Sequence, residues 1–83
     1  MSKVPRDLSG EELARLLGKY EYRIIRQKGS HIRLVSTLKG SEHKITIPSH
    51  SSIKIGTLHN ILSDVAEYLK IPKQHLINEL FNK

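Results

Sequence analysis

The spacing of apolar residues changes twice along this chain, and that change limits the folds open to it. Leu13, Leu16 and Leu17 recur at helical intervals of three or four. In the middle of the chain apolar and polar residues alternate, which is the period of β-strands. Helical spacing returns in a run that contains Leu58, Ile61, Leu62, Val65, Ala66 and Leu69. The sequence therefore predicts a helix, a block of strands and a second long helix in an α+β fold.

Local signals give the expected bounds of these elements. Ser9 precedes Glu12 in the spacing of a capping box, which predicts a first helix over about 9–19. Turn-forming residues separate three strands, expected at 22–27, 31–36 and 43–48. A second helix is expected at about 57–70, and Pro72 suits the first turn of a further helix at about 72–82. The prediction is an α-β-β-β-α sandwich: a three-stranded antiparallel sheet with helices on one face, plus an extra C-terminal helix.

The composition indicates one folded domain that is stabilised by packing alone. A chain of 83 residues hides roughly 60–65% of its unfolded surface, so we expect a single domain over 1–83. Zero cysteines exclude disulfides, thiolate nucleophiles and cysteine zinc sites. No apolar run approaches the roughly 18–20 residues of a membrane span, and no signal peptide is evident. We therefore expect a cytoplasmic protein with no membrane partner.

The positive charge is concentrated in the middle of the chain. The net charge is +6, yet residues 1–18 and 55–83 each balance acids against bases. The whole excess lies between 19 and 54, where eight cations accompany two acids. Such a segment indicates a polyanionic partner, most often a nucleic-acid backbone. The competing interpretation is a solvated strand surface whose charges only keep the protein soluble.

Strand alternation predicts where these cations lie. If the isoleucines of the second and third strands meet the helices, His31, Arg33 and Lys44 share the opposite, open face of the sheet. The first strand is ambiguous, because Ile24 and Ile25 are adjacent and one must lie on the less buried face. A sheet face that carries an imidazole and several cations suits a nucleic acid.

Histidine is the residue type that remains for catalysis. The sequence has no motif of paired carboxylates, no glycine-rich phosphate loop and no serine-triad signature. His31 follows Gly29 and Ser30 at a strand start, where an imidazole would take a proton from an RNA 2′-hydroxyl or give one to the leaving 5′-oxygen. The negative charge of the scissile phosphate would be neutralised, without a metal, by four nearby cations, namely Arg26, Lys28, Arg33 and Lys44. Alternatively, His31 is an ordinary surface residue.

The other histidines carry weaker expectations. His50 follows the third strand and would share acid and base work if its ring met His31 across neighbouring strand ends; otherwise it is an ordinary loop residue. His43 is expected to be a plain surface residue. His59 and His75 fall on helices without metal-ligand spacing, so no metal site and no cofactor are expected.

Four short motifs in a fixed order resemble the HicA family of toxin ribonucleases. They are Pro5-Arg6-x-Leu8-Ser9-Gly10, Arg26-Gln27-Lys28-Gly29-Ser30-His31, Ile47-Pro48-x-His50 and Gly56-Thr57-Leu58-x-x-Ile61-Leu62. The similarity covers roughly residues 4–69, which is therefore the expected core of the single domain. Any one motif is weak, but four in the same order on an α-β-β-β-α pattern are specific.

This resemblance implies a small mRNA interferase with a fold similar to the double-stranded-RNA-binding domain. It implies an endoribonuclease that cuts mRNA independently of the ribosome, with His31 as the catalytic residue and with Ser30 and His50 in support. It also implies silencing by a cognate HicB antitoxin.

The chain departs from the family pattern in two places. The family commonly has glycine before the aromatic residue that starts the first strand, and Glu21 stands there, which makes Gly18 a candidate for the helix end. The helix after Gly56 also runs on further than usual, which indicates an end adapted for partner contact.

Two other functions would use the same features. A non-catalytic RNA-binding module would use the same sheet and cations but leave bound RNA intact. A protein that is chiefly an interaction partner in a DNA-bound complex would fail to inhibit growth when expressed alone.

Overall fold

The computed structural model describes residues 3–81 and confirms the predicted α+β sandwich. Its elements are α1 Gly10–Leu17, a 3-10 turn Gly18–Tyr20, β1 Arg23–Lys28, β2 His31–Ser36, β3 His43–Pro48, α2 Ile55–Leu69 and α3 Lys73–Phe81. The bounds of β2 and β3 are as predicted. The first helix is shorter than expected because its last turn tightens into the 3-10 turn, β1 lies one residue later, and α2 begins two residues earlier. Residue 82, the expected last residue of the C-terminal helix, lies outside the described range.

The core lies between one face of the sheet and the helices. The strand order is β1-β2-β3 and both pairings are antiparallel. One core cluster joins Ile32 and Leu34 of β2 and Ile45 and Ile47 of β3 to the apolar faces of α1 and α2. The third helix adds its own apolar side chains to that cluster, namely Leu76, Ile77 and Leu80. No helix of residues 3–81 lies against the opposite face of the sheet, so polar side chains of β2 and β3 point to solvent there.

The predicted capping box begins α1. The Ser9 hydroxyl accepts the Glu12 N–H at 3.1 Å, and the Glu12 carboxylate accepts the Ser9 N–H at 3.1 Å. These hydrogen bonds hold the pKa of Glu12 below its ordinary value. At the other end Gly18 caps α1 with an ordinary right-handed backbone, as the sequence suggested. Glu21 follows with a φ of 65°, a backbone conformation that glycine adopts at lower cost than any other residue.

The edge strand β1 differs most from expectation. Alternation required one of its two adjacent isoleucines to be less buried, but both are exposed, with Ile24 at 53% and Ile25 at 49%. All six residues of the strand are exposed. The helices lie over β2 and β3, so β1 extends beyond the layer that would bury an apolar side chain.

Within residues 3–81, none of the helices is both long and apolar enough to cross a membrane.

Candidate nucleic-acid interface

The register of the sheet gathers the predicted cations around His31 on the open face. His31 pairs with Lys28 across the β1-β2 ladder, and Arg33 pairs with Arg26. On the other side Arg33 pairs with Thr46 of β3. Directly paired residues hold their Cβ atoms about 4.5–5.5 Å apart. The five side chains line one open depression of about 580 Å³, and all five are exposed.

A β-bulge in β1 decides that Arg26 and Lys28 belong to this depression. The ladder runs Arg23 to Val35, Ile24 to Leu34 and then Arg26 to Arg33, so Ile25 is the extra residue. Strict alternation from Arg23 would have placed Ile25 on the open face and Arg26 on the helix side. The extra residue shifts the alternation of side chains along β1 by one position. As a result Arg23, Arg26 and Lys28 all lie on the open face.

Lys44 lies on the same face but outside the depression. It is two residues before Thr46 on β3 and pairs with Val35. Its side chain is exposed, so it extends the positive surface along the third strand. Thr46, by contrast, lines the depression, although nothing but its place in the alternation would have selected it from the sequence.

The imidazole of His31 is presented at the start of β2, directly after a two-residue turn. Gly29 takes a φ of 57° there, and glycine first in such a turn is the pattern of a type II′ hairpin. Within the described part of the chain the ring of His31 makes no hydrogen bond, ion pair or ring contact. It is exposed and open to a ligand, and no group of residues 3–81 orients it.

A set of hydrogen bonds ties the turn before His31 to the loop after β3 and to the start of α1. The Ser49 N–H donates to the Ser30 carbonyl at 2.6 Å, and the Ser49 hydroxyl donates to the Glu11 carboxylate at 2.7 Å. The latter bond lowers the pKa of Glu11. The Gly10 N–H donates to the His50 carbonyl at 3.0 Å. Ser30 therefore contributes a backbone anchor, while α1 holds the adjacent loop in place.

His50 is close to this anchor in the chain, but its side chain does not join the depression. It is exposed, and its ring makes no hydrogen bond or ring contact with His31 or with any other described residue. The structure thus gathers His31, Arg26, Lys28 and Arg33, and leaves His50 on the neighbouring loop.

The expectation that His43 is a plain surface residue is wrong. Its ring stacks on Tyr68 with centroids 4.7 Å apart, its Nδ1 lies 2.6 Å from the Tyr22 hydroxyl, and its Nε2 lies 3.3 Å from Asp64 Oδ1. Burial raises the pKa of Tyr22. These contacts connect the start of β3 to α2 and to the residue before β1, so His43 links three segments of the fold. Contacts between distant segments leave no signal in local sequence.

No group of three histidine, aspartate or glutamate side chains within residues 3–81 is arranged to hold a metal ion.

A comparison with known protein families shows to which family this chain belongs. The family described as "HicA toxin of bacterial toxin-antitoxin" matches residues 10–66, which is more than half of the chain. This chain belongs to the HicA toxin family. The matched segment begins with α1, contains the whole sheet and ends inside α2, so α3 lies beyond it. No curated protein and no solved structure matches the chain. Membership confirms the resemblance and assigns the protein a general role as the toxin of a toxin-antitoxin pair.

Proposed function

We propose that this HicA-family toxin is an endoribonuclease that cuts mRNA without a metal, and that a HicB-type antitoxin neutralises it. The observation that carries the proposal is the exposed imidazole of His31 inside a depression lined by Arg26, Lys28 and Arg33. An imidazole moves protons near neutral pH, and the three cations attract the RNA phosphate that must approach it.

The depression suits cleavage by the neighbouring ribose hydroxyl. The 2′-oxygen attacks phosphorus and loses its proton, a 2′,3′-cyclic phosphate forms, and the P–O5′ bond breaks as the 5′-oxygen gains a proton. His31 takes the first proton or gives the second. The negative charge that builds on the phosphate oxygens is stabilised by Arg26, Lys28 and Arg33. Lys44 binds another phosphate further along the RNA. Ser30 supports His31 through its hydrogen-bonded backbone, and the His50 carbonyl, which accepts the Gly10 N–H, helps to hold the adjacent loop in place.

One observation favours the alternative of a non-catalytic RNA-binding module. Catalytic histidines are commonly oriented by a hydrogen bond to a second group, and the ring of His31 has none within residues 3–81. Such a module would use the same cations to bind RNA and would leave the RNA intact.

Digestion of a labelled single-stranded RNA, with and without EDTA, separates these functions. We expect His31→Ala to lower the cleavage rate by at least about 100-fold, the lower end of what acid-base catalysis contributes. His75→Ala is the matched control, because His75 is also exposed but lies on α3. Both variants should keep the melting temperature of the wild type, since neither imidazole is buried.

Three results would contradict parts of the proposal. Undiminished cleavage by His31→Ala would reject His31 as the catalytic residue. Tight binding by the wild type with intact RNA would identify the non-catalytic module. Loss of cleavage in EDTA would show that a metal ion is required.

The cations are tested separately through the salt dependence of RNA binding. Each phosphate contact contributes roughly 0.7 to the slope of log K against log salt for a single strand. Arg33→Ala should reduce that slope by about this amount, whereas Arg15→Ala on the helix side should leave it unchanged. Equal slopes for the two variants would remove Arg33 from the RNA-binding surface.

A further inference from the structure

The β1 strand is an open edge of the sheet. Residues 23–28, which we call the β1 edge, pair with β2 on one side and with no other strand of the described chain. All six residues are exposed. A strand at the edge of a sheet presents unpaired backbone N–H and C=O groups along its outer side, and these can pair with a strand from another chain.

The β1 edge also exposes neighbouring apolar side chains. Ile24 and Ile25 are more exposed than the other two large apolar side chains at the described surface, Leu38 at 41% and Ile55 at 40%. Ile24 pairs with the fully buried Leu34, so it lies on the helix side of the sheet. Because α1 and α2 cover β2 and β3 instead, both isoleucines become buried only if something else packs against this edge.

The charge of the edge indicates what that occupant is. Arg23, Arg26 and Lys28 share its open face, and the strand contains no acidic residue. A second copy of this chain that paired β1 with β1 would place cations opposite cations, which destabilises a sheet. A strand with carboxylates on the open face would instead pair opposite charges.

We propose that the β1 edge is the docking site for an extended, acidic strand of the antitoxin, which adds a fourth strand to the sheet. Its backbone pairs with β1, as in other cases of strand addition. Its acidic residues lie beside Arg26 and Lys28, and its apolar residues cover Ile24 and Ile25. The inference rests on the proposed pairing with an antitoxin and does not depend on catalysis by His31.

Strand addition would also explain how the toxin is silenced. Arg26 and Lys28 line the depression around His31. Carboxylates brought beside them neutralise the charge that attracts RNA, so docking at the β1 edge would by itself weaken RNA binding.

The first test measures affinity for the antitoxin encoded with this chain. We expect the double variant Ile24→Glu, Ile25→Glu to weaken binding at least about tenfold, because it removes the apolar contact and adds like charge. Leu38→Glu and Ile55→Glu are matched controls, since they change similarly exposed side chains away from the edge, and should stay within about twofold of the wild type. A second double variant, Ile24→Thr, Ile25→Thr, keeps β-forming residues and should weaken binding less.

The second test measures amide hydrogen exchange in the full chain, alone and in complex. The outward N–H groups of the β1 edge should exchange quickly in the free chain and slow markedly in the complex. A complex without β1 protection, or equal affinity of the double variant and its controls, would overturn the inference alone. Absence of any complex with the wild type would reject the antitoxin pairing as well.

Two further results would assign the edge to another occupant and overturn the inference. Concentration-dependent protection of β1 in the free chain, abolished by the double variant, would identify a second copy. Weaker RNA binding by the double variant, with undiminished antitoxin affinity, would identify RNA.

Discussion

A close backbone approach at Gly10, beside the candidate site, predicts a large effect of one methyl group. A Cβ atom added to Gly10 would lie closer than 3.0 Å to the Pro48 carbonyl oxygen, and 3.1 Å from Pro48 C and Ser49 Cα. All three neighbours are backbone atoms, so they cannot move aside by a change of rotamer. In Gly10→Ala the start of α1 must therefore separate from the loop after β3.

The expected cost follows from three contributions. Overpacking of this kind costs about 1–3 kcal/mol, and the hydrogen bond from Gly10 N–H to the His50 carbonyl, worth about 1 kcal/mol, is strained or lost. Alanine recovers about 0.5–1 kcal/mol through its higher helix propensity. We expect Gly10→Ala to lower the free energy of unfolding by about 1–3 kcal/mol.

Gly56→Ala is the matched control and should act in the opposite direction. Gly56 lies in the first turn of α2, and nothing stands within 4 Å of a Cβ placed there. The control should therefore gain about 0.5–1 kcal/mol.

Urea unfolding measures the free energy of unfolding of both variants. In a thermal melt, each change of 1 kcal/mol in that free energy shifts the melting temperature of a domain of this size by about 4–8 °C. Because the same loop donates to the carbonyl of Ser30, RNA cleavage by Gly10→Ala should fall as well. A stability of Gly10→Ala equal to that of the wild type or of Gly56→Ala would refute the close approach.

Three further predictions concern stability. Glu21→Gly should raise the free energy of unfolding by about 0.5–1 kcal/mol by relieving the positive φ; a gain equal to this in Glu21→Ala would exclude that reason. Burial raises the pKa of Tyr22, so the folded state favours the neutral phenol. The contribution of this group to the free energy of unfolding is present below about pH 10 and is lost as the pH rises. Tyr22→Phe should therefore flatten the alkaline decline of the urea midpoint, and an unchanged decline would contradict this. Ser9→Ala should cost about 1 kcal/mol. Because the capping box lowers the pKa of Glu12 from 4.5, its contribution is present above that pH and lost below it, so the acid decline of stability should be shallower in Ser9→Ala than in the wild type.

Most of the fold could be read from local sequence, because its signals act over a few residues. The capping box of Ser9 and Glu12 begins α1 as predicted. Regular alternation in β2 and β3 correctly placed His31, Arg33 and Lys44 on the open face, since a regular ladder keeps the period of two throughout. The order of the motifs was also sufficient to identify the family, which the match over residues 10–66 confirms.

Which residues line the site could be known only from the pairing of the strands. Alternation left β1 ambiguous, and the bulge at Ile25 resolves it by putting Arg26 and Lys28 beside Arg33 and His31. A bulge is defined by two residues facing one on the partner strand, so it is invisible in either strand alone.

The chain by itself thus determined the order of its elements, the regular faces of β2 and β3 and the segment that carries its charge, because each depends on neighbours in sequence. Only the tertiary structure decided that His43 stacks on Tyr68, that His50 stays apart from His31, and that β1 is left uncovered. Those outcomes depend on where α2 lies over the sheet and how far the helical layer reaches. Both are properties of packing between segments that are distant along the chain.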